Sequence, residues 1–152
     1  MRPDADHVLA SVIDTFERYI APEVHDEYAA SLCLTVGQLL RSVRARVAHE
    51  GEALWDDNRE LRELLGTLRP QVAPTVGGLI DDALVPAGDP DAYPSVARLQ
   101  AEADRLRGAL VACIEAIPDR EHPARAAIRV YLGHQLDRQR PWLVDAFDGP
   151  RR

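Results

Sequence analysis

The five histidines of the chain are the residues whose metal chemistry can be judged by spacing. A di-iron site in a helical bundle needs Glu-x-x-His motifs, and a zinc or nickel site favours two histidines four residues apart on one helix. No Glu here has His three positions later, and no two histidines are four apart; they are His7, His25, His49, His122 and His134. The spacing therefore predicts no metal site, although His49 and His134 could still meet across two helices.

Nucleophilic and acid–base chemistry has no motif either. None of the four serines lies in Gly-x-Ser-x-Gly; they are Ser11, Ser31, Ser42 and Ser95. All 18 basic residues are Arg, which excludes Schiff-base chemistry, a lysine general base and a phosphate-loop lysine. Two carboxylate pairs are acid–base candidates by residue type, Asp56 with Asp57 and Asp81 with Asp82. Helix capping and solvation explain both pairs first, so we predict no catalytic residue and no cofactor.

Charge and hydropathy bear on the partners of the chain. Its 25 acidic and 18 basic residues give a formal charge of -7, which repels a phosphate backbone and argues against nucleic acid. No run approaches the roughly 18 apolar residues of a membrane span. The first twenty residues lack the basic start and continuous apolar region of a secretory signal. We therefore expect no membrane partner and a cytoplasmic protein, with Cys33 and Cys113 as small core residues.

Apolar residues recur at steps of three and four along most of the chain, the spacing that lines one face of a helix. Proline and glycine divide this pattern into five predicted helices, 3–22, 23–50, 54–68, 95–117 and 122–147. Gly51 is predicted to separate the second helix from the third, with Asp56 or Asp57 as the cap of the third. The Pro-rich segment 70–94 is predicted to be a crossover with one short helical turn near 79–84.

These elements predict one all-α domain over 1–152, an antiparallel four-helix bundle with an extra short helix and one long Pro-rich crossover. The second helix forms its packing spine, with a stripe made of Val24, Tyr28, Leu32, Val36, Leu39 or Leu40, Val43 and Val47. The helix over 95–117, which Ser95 is predicted to cap, has the most regular repeat. The repeat is made of Val96, Leu99, Ala103, Leu106, Leu110, Cys113 and Ile117.

Three aromatic residues lie outside the regular stripes, namely Trp55, Tyr93 and Trp142. Tryptophan is enriched among interface anchors because it buries a large area with few rotatable bonds. For the two tryptophans, closure of the ends of the intramolecular core is the favoured explanation. We take these three residues as the candidates for binding a partner.

Three segments carry a resemblance to a known family. They are RPDADHVLASVIDTFERYIAPEV near the amino terminus, HDEYAASLCLTVGQLLRSV after it, and ARAAIRVYLGHQLDRQRPWLVDAF near the end. The chain resembles the small helical DUF6285 proteins of bacteria in four places, which are Arg2-Pro3, Ala21-Pro22, 28–34 and Pro141-Trp142-Leu143. The resemblance implies a non-catalytic companion of an aminoglycoside-phosphotransferase-like kinase. Such kinases phosphorylate hydroxyacyl-CoA thioesters in pathways where acyl-CoA dehydrogenase-like enzymes act next.

The expected function is therefore that of an accessory or interaction subunit. It would make contact through the ends of the second and fifth helices and through the crossover. Two alternatives stay open: a helical bundle that binds a small ligand or a metal, as an enzyme would, and a structural homodimer. The homodimer would be favoured if the repeat over 95–117 proved to lie between two chains.

Overall fold

The structure of the chain, a computed structural model, describes residues 4–86 and 94–142. Five α-helices follow one another in these two ranges. They are α1 (Ala5–Thr15), α2 (Glu27–Leu68), α3 (Pro74–Leu84), α4 (Val96–Ala116) and α5 (Pro123–Gln139). The two ranges contain no strand, so the all-α prediction is confirmed. The antiparallel four-helix arrangement stays a prediction.

The described chain divides into two compact units. Unit 1 takes residues 4–50 and 139–142, and unit 2 takes residues 51–86 and 94–138. The first half of α2 belongs to unit 1 and its second half to unit 2.

Helix α1 is shorter than the helix predicted over 3–22. Asp4 caps it, because the Asp4 Oδ1 accepts a hydrogen bond from the backbone N–H of His7 over 2.8 Å. A π-helical turn, Phe16–Ile20, and a 3-10 turn, Ala21–Glu23, continue the chain. The region is thus helical throughout but changes its winding twice.

Two ion pairs hold α1 and the turn after it against α2 in unit 1. Arg44 donates to Asp6 from Nε over 2.6 Å and from Nη2 over 3.0 Å. Arg41 pairs with Glu17. Because all four side chains are at least one-third exposed, these pairs orient α1 and contribute little to stability.

Helix α2 runs through the position where the sequence predicted a break. The prediction of separate helices over 23–50 and 54–68 is wrong, since α2 is continuous over Glu27–Leu68. The true cap at its start is Asp26, whose Oδ1 accepts from the N–H of Ala29 over 2.8 Å. A glycine inside a helix costs only about 1 kcal/mol, and burial of Leu54 and Leu61 nearby outweighs this cost. Asp56 and Asp57 consequently lie inside the helix and cap nothing.

Helix α3 is a full three-turn helix in the segment predicted to be a crossover. It runs back along α2, because Arg69 donates to Asp81 over 2.9 and 2.8 Å and Arg62 Nη1 donates to the Leu84 carbonyl over 2.8 Å. The turn predicted near 79–84 is therefore the end of a helix that begins at Pro74. Residues 87–93 of the predicted crossover lie outside the described residues.

Helices α4 and α5 complete unit 2. The predicted cap of α4 is confirmed, since Ser95 Oγ accepts from the N–H of Arg98 over 3.2 Å. Helix α5 ends at Gln139 and is followed by a 3-10 turn, Arg140–Trp142. The remainder of the helix predicted over 122–147, with Phe147, lies outside the described residues.

The core of unit 2 contains the stripe predicted over 95–117. The stripe predicted to make the second helix a packing spine is instead exposed, since its members from Tyr28 to Val47 are 41–74% exposed. The repeat over 95–117 is buried within the chain except for Val96, which is 46% exposed. The largest fully buried side chains come from α2, α3, α4 and α5; they are Leu61, Leu65, Leu68, Ile80, Leu106, Cys113, Ile128 and Tyr131. Because the apolar face of α4 is buried inside unit 2, this repeat offers no continuous apolar surface for a homodimer.

Replacement of Gly51 by Ala tests the continuity of α2. A Cβ at this position would lie 3.7 Å from Val96 Cγ2, an ordinary van der Waals distance. We expect Gly51→Ala to raise the free energy of unfolding by about 1 kcal/mol, because alanine favours a helix interior. Chemical denaturation followed by circular dichroism measures this change.

Gly66→Ala is the matched control, since Gly66 also lies inside α2 and its Cβ would meet nothing within 4 Å. It should stabilise the protein by a similar amount. A helix that broke at Gly51 would give stabilisation at Gly66 only.

Candidate functional site

A buried carboxylate lies at the centre of unit 2. Asp57, on α2, is only 3% exposed and accepts hydrogen bonds from side chains of two other helices. Arg107 Nη2 on α4 and Tyr131 Oη on α5 donate to its Oδ2 over 2.9 and 3.1 Å. Arg138 Nη1, also on α5, donates to its Oδ1 over 3.1 Å. Each carboxylate oxygen thus has a guanidinium donor of its own.

A second carboxylate extends this cluster toward the surface. Glu60 lies one turn after Asp57 on α2, and its Oε1 is 2.7 Å from His134 Nδ1, a hydrogen bond in which the ring N–H donates. The same Glu60 pairs with Nη2 of Arg138. One guanidinium therefore bridges both carboxylates. We call Asp57, Glu60, Arg107, Tyr131, His134, Gln135 and Arg138 the Asp57 cluster.

The Gln135 amide completes the cluster. With its nitrogen toward Asp57 it donates to Oδ2 over 3.3 Å. With its oxygen toward Arg107 it accepts from Nε over 3.0 Å and from Nη2 over 3.1 Å. We assign the second orientation, because it gives two guanidinium donors an acceptor. Gln135 then holds the Arg107 side chain that in turn holds Asp57.

The pKa values in the cluster favour fixed charges. Burial acts to raise the pKa of Glu60, but hydrogen bonds from Arg138 and His134 outweigh it and hold the pKa below its ordinary value. Burial, together with the negative charge of Asp57, raises the pKa of Tyr131 far above that of a free phenol. Glu60 is thus a carboxylate and Tyr131 a protonated donor near neutral pH.

The Asp57 cluster is suited to holding helices together. Its two carboxylates balance its two guanidinium groups, so these charges cancel within a few ångströms. Every carboxylate oxygen of Asp57 and Glu60 is engaged by donors from α4 or α5. A general acid or base must give up or accept a proton near working pH. The carboxylates of the cluster are instead held by hydrogen bonds to its other side chains.

The expectation for Asp57 from sequence is corrected by this geometry. Capping and solvation were expected to explain the Asp56/Asp57 pair, but Asp57 is buried within a helix and ion-paired. One signal in the sequence could have shown this. Asp57 falls three residues after Leu54 and four before Leu61, on the apolar stripe of α2. A charge at a core position calls for a buried partner.

A second feature of unit 2 is an apolar groove beside Trp55. The Trp55 side chain is 54% exposed although it follows the buried Leu54. It borders a cavity of about 560 Å³ and a smaller one of about 210 Å³. The larger cavity is lined by Gly51, Glu52, Trp55, Pro94, Ser95, Val96 and Leu99. The smaller one is lined by Trp55, Asn58, Arg59, Arg62, Leu99 and Glu102. Trp55 and Leu99 line both, and we call these residues together the Trp55 groove.

One buried polar atom lies at the smaller cavity. Asn58 is 3% exposed, and its Nδ2 donates to the Leu99 carbonyl over 2.9 Å. Its Oδ1 has no hydrogen-bond partner within the described part of the chain. An unpaired buried acceptor costs roughly 1–3 kcal/mol, so a group that donates to Oδ1 would be favoured here.

The other predicted partner-binding residues are placed as follows. Trp142 lies in the 3-10 turn of unit 1 and is partly buried. Tyr93 lies outside the described residues. Of the three aromatic candidates, Trp55 is the one that the structure places, more than half exposed, at a groove.

The remaining chemical candidates have structural roles or exposed positions. His134 is bound to Glu60, and His49 is exposed on α2. Asp81 pairs with Arg69, whose guanidinium holds the pKa of that carboxyl below its ordinary value. Burial raises the pKa of the Cys113 thiol, which makes it a poor nucleophile.

Metal clusters and membrane spans are both absent from the described residues. Within 4–86 and 94–142, no three or more His, Cys, Asp or Glu side chains form a group that could hold a metal ion. In the same ranges, no helix has both the length and the hydropathy of a bilayer span.

Comparison with models of known protein families, with curated proteins and with solved structures gave no match.

Replacement of Asp57 by Asn tests whether the cluster stabilises unit 2. The change leaves Arg107 without its anionic partner and Arg138 with Glu60 alone, in a largely buried position. We expect a loss of about 3 kcal/mol in the free energy of unfolding, as for other broken buried pairs. Urea denaturation measures it. Asp56→Asn is the control, because Asp56 has an exposed pair with Arg59 and its loss should cost less than about 1 kcal/mol.

Glu60 should make stability depend on pH in the acid range. Because its pKa in the folded chain lies below the ordinary 4.5, the unfolded chain binds the proton first as the pH falls. This contribution is present above about pH 4.5 and is lost as the pH falls through the folded pKa. Glu60→Gln should therefore flatten the decline in unfolding free energy below that pH.

The measurement is urea denaturation at a series of pH values. Some decline should persist in Glu60→Gln, because the pKa of Asp81 is lowered too. Glu63→Gln, at an exposed position one turn along α2, should retain the full decline. A Glu60→Gln profile that matches the unmodified protein would contradict the assignment.

Proposed function

We propose that the chain is an accessory protein that binds a protein partner through the Trp55 groove. The observation that carries the proposal is a tryptophan, 54% exposed, beside an apolar cavity of about 560 Å³. Tryptophan anchors in such positions supply much of the binding energy of known interfaces. An apolar side chain of a partner could enter the cavity and pack against Val96 and Leu99.

The charges around the groove support a protein partner. Arg62 donates to Glu102 over 2.5 Å, and Arg59 donates to Asp56 over 3.1 Å. These pairs cancel most of the charge at the rim. A neutral rim around an apolar centre is the usual anatomy of a protein–protein interface.

The identity of the partner rests on the resemblance to DUF6285 proteins. It implies a phosphotransferase-like kinase acting on hydroxyacyl-CoA thioesters, for which this chain would be a non-catalytic companion. The Asp57 cluster supports the non-catalytic part of the proposal, since its titratable groups are engaged with one another.

Small-ligand binding at the same groove is a second candidate, favoured by Asn58. Asn58 lines the smaller cavity, and its buried Oδ1 would accept a hydrogen bond from an N–H or O–H group there once the side chain turns toward the cavity. The charged side chains of this cavity are paired, so the ligand would be neutral, with an apolar part against Trp55. The Trp55 groove would then bind a small ligand and not the side chain of a protein partner.

Trp55→Ala tests the accessory function. The chain is co-expressed with an aminoglycoside-phosphotransferase-like kinase encoded by the same organism, and the affinity of the pair is measured by calorimetry. We expect Trp55→Ala to weaken binding about 30-fold, the effect of losing one interface anchor. The helices should stay intact because Trp55 is half outside the core.

Leu79→Ala is the matched control, because Leu79 is 53% exposed in α3 of the same unit but lines neither part of the Trp55 groove. It should leave the affinity unchanged. The proposal fails if no such kinase binds, or if Trp55→Ala and the unmodified chain bind the kinase equally.

A further inference from the structure

One face of α2 in unit 1 is apolar and is exposed among the residues that the structure describes. Its six members are Tyr28, Leu32, Val36, Leu39, Val43 and Val47, which are 41–74% exposed. At 100° per residue they fall within an arc of about 100°, so they form one stripe. In unit 2 the same spacing continues through Leu54, Leu61 and Leu68, which are buried. A face that the chain buries along one half of a helix stands open along the other half.

The neighbouring helix α1 extends this apolar surface. Val8 and Val12 are 46% and 45% exposed. They line a groove of about 560 Å³ with Phe16 of the π-helical turn and Leu40 of α2. The stripe and the groove together expose an apolar area on the order of 800 Å², which is what each partner contributes to a standard interface. Monomeric proteins rarely leave a patch of this size open.

The spacing of the stripe favours a second copy of α2 as its occupant. Its steps are four, four, three, four and four, and they read the same in both directions. When two copies of α2 are laid antiparallel, Tyr28 faces Val47 of the second copy and Leu32 faces Val43. At the centre, Val36 faces Leu39. A two-fold interface requires this reciprocity, since residue i must meet j wherever j meets i.

The edge of the stripe is compatible with the same pairing. In this register Thr35 lies near Ser42 of the second copy, and Ser31 lies near Arg46. No pair of like charges is brought together along this edge, and such pairs would oppose association. The second copy of α2 would also lie beside the groove between α1 and α2.

From the register and the area, we propose that the first half of α2 forms an antiparallel, two-fold contact with α2 of a second copy of this chain. The contact joins two α1–α2 pairs into a four-helix arrangement, in which each copy covers the other's stripe. It does not use the Trp55 groove, and it differs from a dimer through α4, whose apolar face is buried inside unit 2.

Sedimentation equilibrium of the full chain tests the proposal. The unmodified protein should sediment at twice the mass of one chain at micromolar concentration. Leu39→Glu, which places a charge opposite the apolar Val36, should raise the dimer dissociation constant at least about 100-fold. Leu34→Glu is the matched control, because Leu34 is 74% exposed on the opposite face of α2 and should leave the dimer intact.

A charge exchange tests the register. Val36→Arg and Leu39→Glu should each be monomeric alone. Their mixture should form a heterodimer, because the register brings the introduced guanidinium of one chain opposite the introduced carboxylate of the other. Circular dichroism should show equal helix content in each variant, which separates dissociation from unfolding.

Three results would overturn the proposal: a monomeric unmodified chain, a dimer that survives Leu39→Glu, or variants that fail to pair when mixed. None of them affects binding of a kinase at Trp55. If the stripe binds a partner of another kind, the unmodified chain alone would be monomeric, which is the first of these results.

Discussion

The negative charge of Asp57 is placed on a helix face that is otherwise apolar, and the arrangement of unit 2 follows from it. A carboxylate in that position must be met by donors from α4 and α5, or its burial would cost several kcal/mol. Arg107, Tyr131 and Arg138 meet it at 2.9 to 3.1 Å. Apolar packing alone tolerates small displacements between helices, whereas three directed hydrogen bonds do not. The cluster thereby sets how far along α2 the two later helices lie.

Helices and their caps could be predicted from sequence where the local signals agreed. Ser95 caps α4 as predicted, and the repeat behind it is buried from Leu99 to Ile117. The break predicted at Gly51 is wrong because the low helix propensity of glycine is outweighed there by burial of the residues that follow it. The residues of α2 after that glycine are buried by α3, α4 and α5. The local sequence of α2 carries no information about these contacts. Local sequence also gave too short a helix for α3. The prolines there lie at the start of the helix and beyond its end, where they do not interrupt it.

The candidate site could be predicted only in part, because its members are remote in the chain. Arg107 lies 50 residues from Asp57, Tyr131 lies 74 and Arg138 lies 81. No spacing rule connects residues at such separations. Of the cluster members, Asp57 alone could be recognised from the sequence, because it is a charged residue at a core position. Trp55 was singled out by residue type, but its groove depends on the start of α4 beside it, which the sequence of α2 does not reveal.

The π-helical turn over Phe16–Ile20 accommodates one residue more than an α-helical turn would hold. Such turns accept a single-residue insertion without breaking the backbone ladder. Removing one residue there would restore regular winding and rotate everything upstream by about 100°. Val8 and Val12 would then swing away from Leu40, and Asp6 away from Arg44. The extra residue therefore sets the rotation of α1 about its axis. Its loss would break contacts that α1 makes about ten residues before the turn.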